Sequence, residues 1–130
     1  MSGQRGFSLV EALIALVVLS LGLVGAAAMQ LKALDSADEG YRRALASVAA
    51  LDAQEQLWAA YRHTKQCAEI EVGRIESAWR RHWFQHPEAA LAETAWGSIQ
   101  RDACDFQITI VHAAPGSAPF AFRFELPVKP

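Results

Sequence analysis

Apolar residues are concentrated at the front of the chain, in one uninterrupted stretch. The 25 residues from Phe7 to Leu31 carry a single charged side chain, that of Glu11. A helix of that length measures about 37 Å at roughly 1.5 Å per residue, which exceeds the hydrocarbon thickness of a bilayer, about 30 Å. The pattern therefore predicts a membrane-spanning helix over residues 7–31.

A cleaved secretory signal is the alternative interpretation of this segment. Arg5 supplies the positive charge expected ahead of a signal sequence, and Ala26–Ala28 could form a small-residue cleavage site. The apolar stretch is, however, much longer than the roughly 7 to 15 residues typical of such signals. The length favours an uncleaved anchor, and Arg5 favours a cytoplasmic amino terminus with the remainder exported.

Helical spacing continues beyond Leu31 without a clear break. Apolar residues recur at intervals of three and four positions: Leu34, Ala37, Tyr41, Ala44, Leu45, Val48 and Leu51. This pattern predicts that the same helix continues through residues 32–65, with the stripe as its buried face. Beyond Leu51 the buried face is expected to turn toward Leu57, Trp58 and Tyr61. The alternative is a kink at Gly40 followed by a separate soluble helix.

Two shorter helices are predicted in the middle of the chain. Over about residues 69–85, one helical face collects Ile75, Ala78, Trp79, His82 and Trp83. Pro87 at a first helical position and Gly97 just after Trp96 then bracket a second helix over residues 87–96. The four tryptophans are expected in the core, with a partner-facing patch as the alternative: Trp58, Trp79, Trp83 and Trp96.

The end of the chain changes to a period of two. Alternating apolar residues predict strands over about residues 105–112 and 119–126, with inward positions Phe106, Ile108, Ile110, Phe120, Phe122, Phe124 and Leu126. The segment AAPGSAP between them is a loop. The predicted fold class is therefore α+β, with a long helix packed on a small head (residues 66–130) that ends in an antiparallel hairpin or small sheet.

Two cysteines flank the middle segment. Cys67 follows the long helix and Cys104 precedes the first predicted strand. In an oxidising compartment, a disulfide between them would close a loop of about 38 residues and contribute about 2 to 4 kcal/mol. Two buried free thiols are the alternative.

Composition and motifs argue against catalysis. The net charge of −2 over 130 residues predicts no strong nucleic-acid surface. His82 and His86 have helical spacing, but the residues between them lack the glutamate of a zinc protease motif. Arg80 and Arg81 beside aromatic residues allow a nucleic-acid interpretation, although solvated arginines on an outer helix face explain them better. We expect no enzyme activity, no cofactor, no metal and no nucleic-acid partner.

The residues around Glu11 resemble a known signal. Gly6-Phe7-Ser8-Leu9-Val10-Glu11, followed by an apolar helix, is similar to the class III signal of type IV prepilins and type II secretion pseudopilins. The resemblance implies that prepilin peptidase removes the leader, residues 1–6, by cleaving between Gly6 and Phe7. It also implies N-methylation of Phe7, and a role in processing or assembly for Glu11, whose carboxylate pairs with the amino terminus of a neighbouring subunit.

The letters that follow, ALIALVVLSLGLVGAAAMQLKAL, are similar to the helix of PilV-type minor pilins over about 30 of the 130 residues. The helix-breaking proline of many major pilins is missing, and only Gly22 and Gly25 weaken this segment. The resemblance implies a pilin-like fold, an inner-membrane span with a periplasmic head, and a later place in a surface fibre. Implied partners are minor and major pilins, the peptidase, the inner-membrane assembly platform and the lipid bilayer.

The function that this resemblance implies is that of a minor pilin, a structural subunit that promotes pilus initiation and assembly and hence twitching motility or adhesion. A minor pseudopilin of a type II secretion system is the first alternative, because it has the same leader, glutamate and stalk-plus-head plan. A DNA-uptake pilin that uses Arg80 and Arg81 is the second.

Overall fold

A computed structural model describes Gly6 and residues 8–92 and 94–128. Its first element, helix α1, is Leu9–Thr64, and the α-helix runs through Gly40 without interruption. The long helix predicted from the spacing is thereby confirmed, and the separate helix after Gly40 is not formed. The chain divides into two compact units, Met1–Gly40 and Tyr41–Pro130.

In the first unit, the structure describes one helical segment, residues 9–40, whose surface is apolar as far as Leu31. Every residue described from position 8 to position 40 is exposed. Helix α1 is long and apolar enough to cross a membrane by length and composition. Since burying large apolar side chains is worth roughly 1.5 to 3 kcal/mol each, this surface requires an apolar environment outside the chain.

The second unit adds the smaller elements to the last part of α1. A 3-10 turn at Cys67–Glu69 leads to helix α2 (Val72–Arg80), which continues into a wider π-helical turn at Arg81–Gln85. Three strands then form one antiparallel sheet in the order β1-β2-β3: β1 (Ala95–Asp102), β2 (Asp105–His112) and β3 (Phe120–Glu125). Strands β2 and β3 confirm the predicted hairpin, with one further strand beside it.

The predicted helix over residues 87–96 is wrong. Turns occupy the described part of this segment, and Ala95 and Trp96 already belong to β1. Gly97 lies inside the strand, where an added Cβ would come within 2.7 Å of Phe84 Cε2. The glycine is therefore a site of close packing against aromatic rings and not a helix terminator. The other predicted helix, residues 69–85, begins later than expected, at Val72.

The buried face of the long helix also differs from the predicted stripe. The buried residues are mostly small: Ala46, Ala49, Ala50, Ala53 and Leu57. Tyr41, Val48 and Leu51 are instead 64%, 52% and 49% exposed. Small side chains occupy the inner face because they let α2 and the sheet approach the helix backbone closely. Leu57 is buried and Trp58 and Tyr61 are partly buried, as predicted, but the face does not turn, because Leu57 continues the face that begins at Ala46.

One hydrophobic core joins the helix to the sheet and α2. It contains the helix alanines and Leu57 together with the inward residues of β2, Phe106, Ile108 and Ile110. Trp79 is fully buried at its centre, whereas Trp58 and Trp83 are half-buried and Trp96 is 47% exposed. The expectation that all four tryptophans lie in the core therefore holds fully only for Trp79.

Candidate functional site

The predicted processing site lies ahead of the first helical turn. Gly6 is exposed and outside the helix, which begins at Leu9. Phe7, the predicted methylated residue, lies outside the described residues. The carbonyl oxygen of Ser8 accepts hydrogen bonds from the backbone N–H groups of Glu11 (3.0 Å) and Ala12 (3.2 Å), so the helical ladder starts at this point.

Glu11 is placed in the first turn of α1, with its side chain exposed. A carboxylate in this position is favoured by the unpaired N–H groups at the start of a helix, typically by 0.3 to 1 kcal/mol. Within the described residues, its carboxylate has no hydrogen-bond or ion-pair partner. The group is therefore able to accept a cation that the described part of the chain does not provide.

The apolar surface behind Glu11 is open along its whole length. An added Cβ at Gly22 or Gly25 would meet no atom within 4 Å. The Ser20 hydroxyl donates to the Leu16 carbonyl at 2.7 Å, so this polar group is satisfied inside the helix. Lipid chains or other apolar helices can thus contact the segment without leaving the serine donor unpaired.

A second apolar surface lies on the part of α1 that belongs to the second unit. Tyr41, Ala44, Val48 and Leu51 follow each other at spacings of three and four residues, and all are exposed. Their spacing is that of the a and d positions of two heptads, which suit the packing of one helix on another. The helix thus has an inner alanine face covered by the core and an outer apolar face that remains open.

The two cysteines that sequence analysis paired are joined. Cys67 and Cys104 form a disulfide with an S–S distance of 2.05 Å, across a sequence separation of 37 residues. The guanidinium of Arg101 adds hydrogen bonds to the carbonyl oxygens of Cys67 (2.9 Å) and Ile70 (3.1 Å). The segment that follows α1 is therefore attached to the β1–β2 turn by the disulfide and to β1 by the hydrogen bonds of Arg101.

Arg80 and Arg81 have different surroundings. The Arg80 guanidinium forms an ion pair with Glu76 at 3.0 Å, donates to the Gly97 carbonyl at 2.7 Å and lies 4.8 Å from the Trp96 ring centroid. The expectation that both arginines are solvated on an outer face is wrong for Arg80, because Glu76 of α2 and two residues of strand β1, which was not predicted, hold its guanidinium. Arg81 is exposed, as expected.

His82 and His86 line an open surface hollow together with Ala78, Arg81, Glu88 and Ala89. The Nδ1 atom of His86 accepts the backbone N–H of Glu88 at 3.2 Å, and the His82 ring stands edge-on to Trp83. In the part of the chain that the structure describes, no three His, Cys, Asp or Glu residues group in a way that could hold a metal ion.

Comparison with known proteins adds one family-level match. Residues 1–27 match the prokaryotic N-terminal methylation motif, and they contain the predicted cleavage bond and Glu11. No curated protein sequence and no solved structure gave a significant match. The motif, together with the long helix and the small antiparallel sheet, supports a type IV pilin-like or pseudopilin subunit.

Proposed function

We propose that this chain is a minor pilin that promotes the initiation and assembly of a type IV pilus, and through it twitching motility or adhesion. The observation that carries the proposal is Glu11, which lies inside the matched methylation motif and has no partner within the described residues. It sits in the first turn of α1, where residues 9–31 are exposed and otherwise uncharged. A carboxylate in such a surface is costly in a membrane, so a subunit that retains it needs the group.

Cleavage between Gly6 and Phe7 would create a new positively charged amino terminus. From Phe7 to Glu11 is four positions, about one helical turn. In a bundle of apolar helices, an ammonium group and a carboxylate attract strongly, and each is expensive when left alone. If the amine of one subunit pairs with Glu11 of the next, sliding the helices by a turn leaves two unpaired charges. The pair therefore fixes the axial register of subunits.

The outer face of the helix supplies a second set of contacts for assembly. Tyr41, Val48 and Leu51 stay about half exposed or more, although the inner face of the same segment is fully packed. The spacing of these residues, three and four positions apart with Ala44 between them, suits packing against a helix of a neighbouring subunit. Assembly would thus bury apolar area that the isolated chain leaves in water.

The disulfide supports an exported head. Such bonds persist in oxidising compartments such as the bacterial periplasm and are rare in the cytosol. The proposed location is a single span in the inner membrane with a periplasmic head, followed by transfer to the fibre. The proposed partners are the prepilin peptidase, other pilins and the assembly platform.

Deletion of the gene tests this function against the pseudopilin alternative. We expect loss of surface pili and of twitching with normal exoprotein secretion, and recovery of both when the wild-type gene is restored. Normal pili combined with defective secretion would instead assign the chain to a type II secretion system. A strain that lacks the major pilin serves as the positive control for the motility measurement.

A further inference from the structure

The two edge strands of the sheet, β1 and β3, differ in whether their outward backbone groups have hydrogen-bond partners. At the β1 edge, Glu76 Oε2 accepts the backbone N–H of Ile99 at 2.6 Å, and Arg80 Nε donates to the Gly97 carbonyl at 2.7 Å. Two side chains of α2 thus occupy backbone groups that another strand would need. An edge covered in this way cannot be extended by strand addition.

The hydrogen-bond alternation across the sheet shows which β3 groups point outward. Because the N–H of Ile99 points to α2, its pair with Ile108 is not hydrogen-bonded, and Ile108 instead bonds to its β3 partner, Phe122. The bond from the Leu126 N–H to the Cys104 carbonyl, 2.9 Å, follows the same alternation. By this alternation Phe120, Phe122 and Phe124 bond to β2, and every second residue of β3, from Ala121 onward, directs its backbone groups away from the sheet.

These outward residues are Ala121, Arg123 and Glu125, and all three are exposed. Within the described residues, none of their backbone N–H and C=O groups has a hydrogen-bond partner outside the sheet. Arg123 contacts Gln107 through its side chain alone, at 2.9 Å. Strand β3 is consequently an open edge, with one positive and one negative side chain beside the free backbone groups.

The inner side of the same edge is apolar and incompletely covered. Phe120, Phe122 and Phe124 point inward but are only half-buried, whereas their β2 partners are completely buried. Phe124 stacks on Phe106 with ring centroids 5.5 Å apart, so the exposed rim continues directly into the core. An additional strand would cover this rim as well as satisfy the backbone groups.

We propose that the β3 edge binds an extended segment of a different subunit as a fourth strand. The charges define the chemistry of that segment: a carboxylate opposite Arg123, a cation opposite Glu125, and apolar residues facing Phe122 and Phe124. Cross-strand pairs of this kind favour the matched partner and penalise like charges. That the partner is another subunit rests on the proposed function; the open edge itself does not.

A second copy of β3 fits this edge less well. Antiparallel pairing that sets Arg123 against Glu125 of the other copy also sets Ala121 against Pro127. Proline has no N–H to donate, and the Pro127 carbonyl already accepts the Tyr61 hydroxyl at 2.7 Å. Self-pairing in the charge-matched register is therefore cut short, and a different chain without this proline can pair along the whole strand.

Peptide binding to the full-length protein in detergent micelles tests the proposal. The probe is a blocked peptide, Thr-Lys-Val-Glu-Val-Thr, which in antiparallel register sets its Glu against Arg123 and its Lys against Glu125. The control peptide, Thr-Glu-Val-Lys-Val-Thr, exchanges the two charges. We expect the first to shift the backbone amide signals of Ala121, Arg123 and Glu125 and to bind about three- to tenfold more tightly than the control.

Three variants make the result specific. In Arg123→Glu/Glu125→Lys, the preference between the peptides should reverse. Ala121→Pro removes one outward N–H without affecting the bonds to β2, and should abolish binding, whereas Ala121→Ser should retain it. The proposal is overturned if neither peptide shifts these amide signals at millimolar concentration, or if the charge-reversed variant prefers the same peptide as the wild type. It is also overturned if raising the protein concentration without peptide shifts the same signals, because the edge would then bind a second copy of the chain.

Incorporation into fibres is measured separately on the same variants. Charge-selective peptide binding by a chain that never enters pili would contradict the proposed function alone. Normal incorporation of a chain that binds neither peptide would contradict the open-edge proposal alone.

Discussion

The indole N–H of Trp79 donates to the backbone carbonyl of Ala49 at 2.8 Å, although the two residues belong to different helices. A side chain from another element can reach a backbone carbonyl of a long helix only where the neighbouring side chains of that helix are small. The alanines around position 49 meet this condition. This contact places the largest buried side chain of the core directly on α1. The alanine face is therefore a packing requirement of the second unit.

Enlarging this face should destabilise the protein. In Ala49→Leu, the added atoms would have to displace Trp79 or the sheet, and overpacking of this kind costs about 1 to 3 kcal/mol. Unfolding of the full-length protein in detergent can be followed by tryptophan fluorescence, because all four tryptophans belong to the second unit. Ala44→Leu, on the exposed face, is the matched control and should change stability by less than about 0.5 kcal/mol. Equal effects of both substitutions would contradict the assignment of the faces.

Gly97 is predicted to be intolerant of any side chain. An added Cβ would come within 2.6 Å of Trp79 Cζ3 and 2.7 Å of Phe84 Cε2, and both rings are held in the core. We expect Gly97→Ala to destabilise the protein by about 1 to 3 kcal/mol. Gly73→Ala in α2, where an added Cβ meets nothing within 4 Å, should leave stability unchanged or raise it by roughly 0.5 to 1 kcal/mol. A neutral Gly97→Ala would mean that the rings can move aside.

Gly97 also explains why β1 escaped prediction. Its inward position carries no side chain, so the alternation around Ile99 contains too few apolar residues to suggest a strand. Pro87 and Gly97 matched the start and end signals of a helix. Gly97 instead leaves space for the Trp79 ring, which is distant in sequence. Strands β2 and β3 were predictable because each has three large apolar residues on one face.

The extent of the long helix was predictable from the sequence, but the face that it buries was not. Hydrophobic periodicity selected Tyr41, Val48 and Leu51 as the inner face, since these are the larger apolar residues. In the structure, the buried face is the one that lets α2 and the sheet come close to the helix backbone, and alanine fits there better than leucine. For the candidate site, Gly6 and Glu11 lie within one local motif and needed no tertiary information. The pairing of Glu76 with the β1 edge depends on contacts between distant segments, which no local pattern contains.

Removal of the disulfide should lower the unfolding free energy of the second unit. In Cys67→Ala/Cys104→Ala, the chain regains the entropy of a loop that spans a separation of 37 residues, so we expect a loss of about 2 to 4 kcal/mol of unfolding free energy. Alkylation of the unreduced, unfolded protein should modify no cysteine, whereas prior reduction should expose two. Reactive thiols in protein purified from the membrane without reductant would contradict the bond.

The mass of the mature protein tests processing directly. If the peptidase cleaves between Gly6 and Phe7, the intact mass of the membrane-extracted protein should match a chain that begins at methylated Phe7. The same protein from a peptidase-deficient strain should retain residues 1–6, and it provides the matched control. A mass that retains the leader in cells with active peptidase would refute the assignment of the cleavage site.

Replacement of Glu11 should separate membrane insertion from assembly. In Glu11→Ala, the apolar segment of residues 7–31 loses its only charged group, so insertion into the membrane should be unchanged or improved. Glu11→Gln keeps the size of the side chain and removes only the charge, and it should fail in the same way if the proposed ion pair matters. The measurement compares the amount of protein in sheared fibres with the amount in the membrane fraction, and Glu55→Ala on the exposed surface of the same helix is the control. Normal amounts of both Glu11 variants in fibres would eliminate the register role, because an unpaired ammonium group would then be tolerated among packed apolar helices.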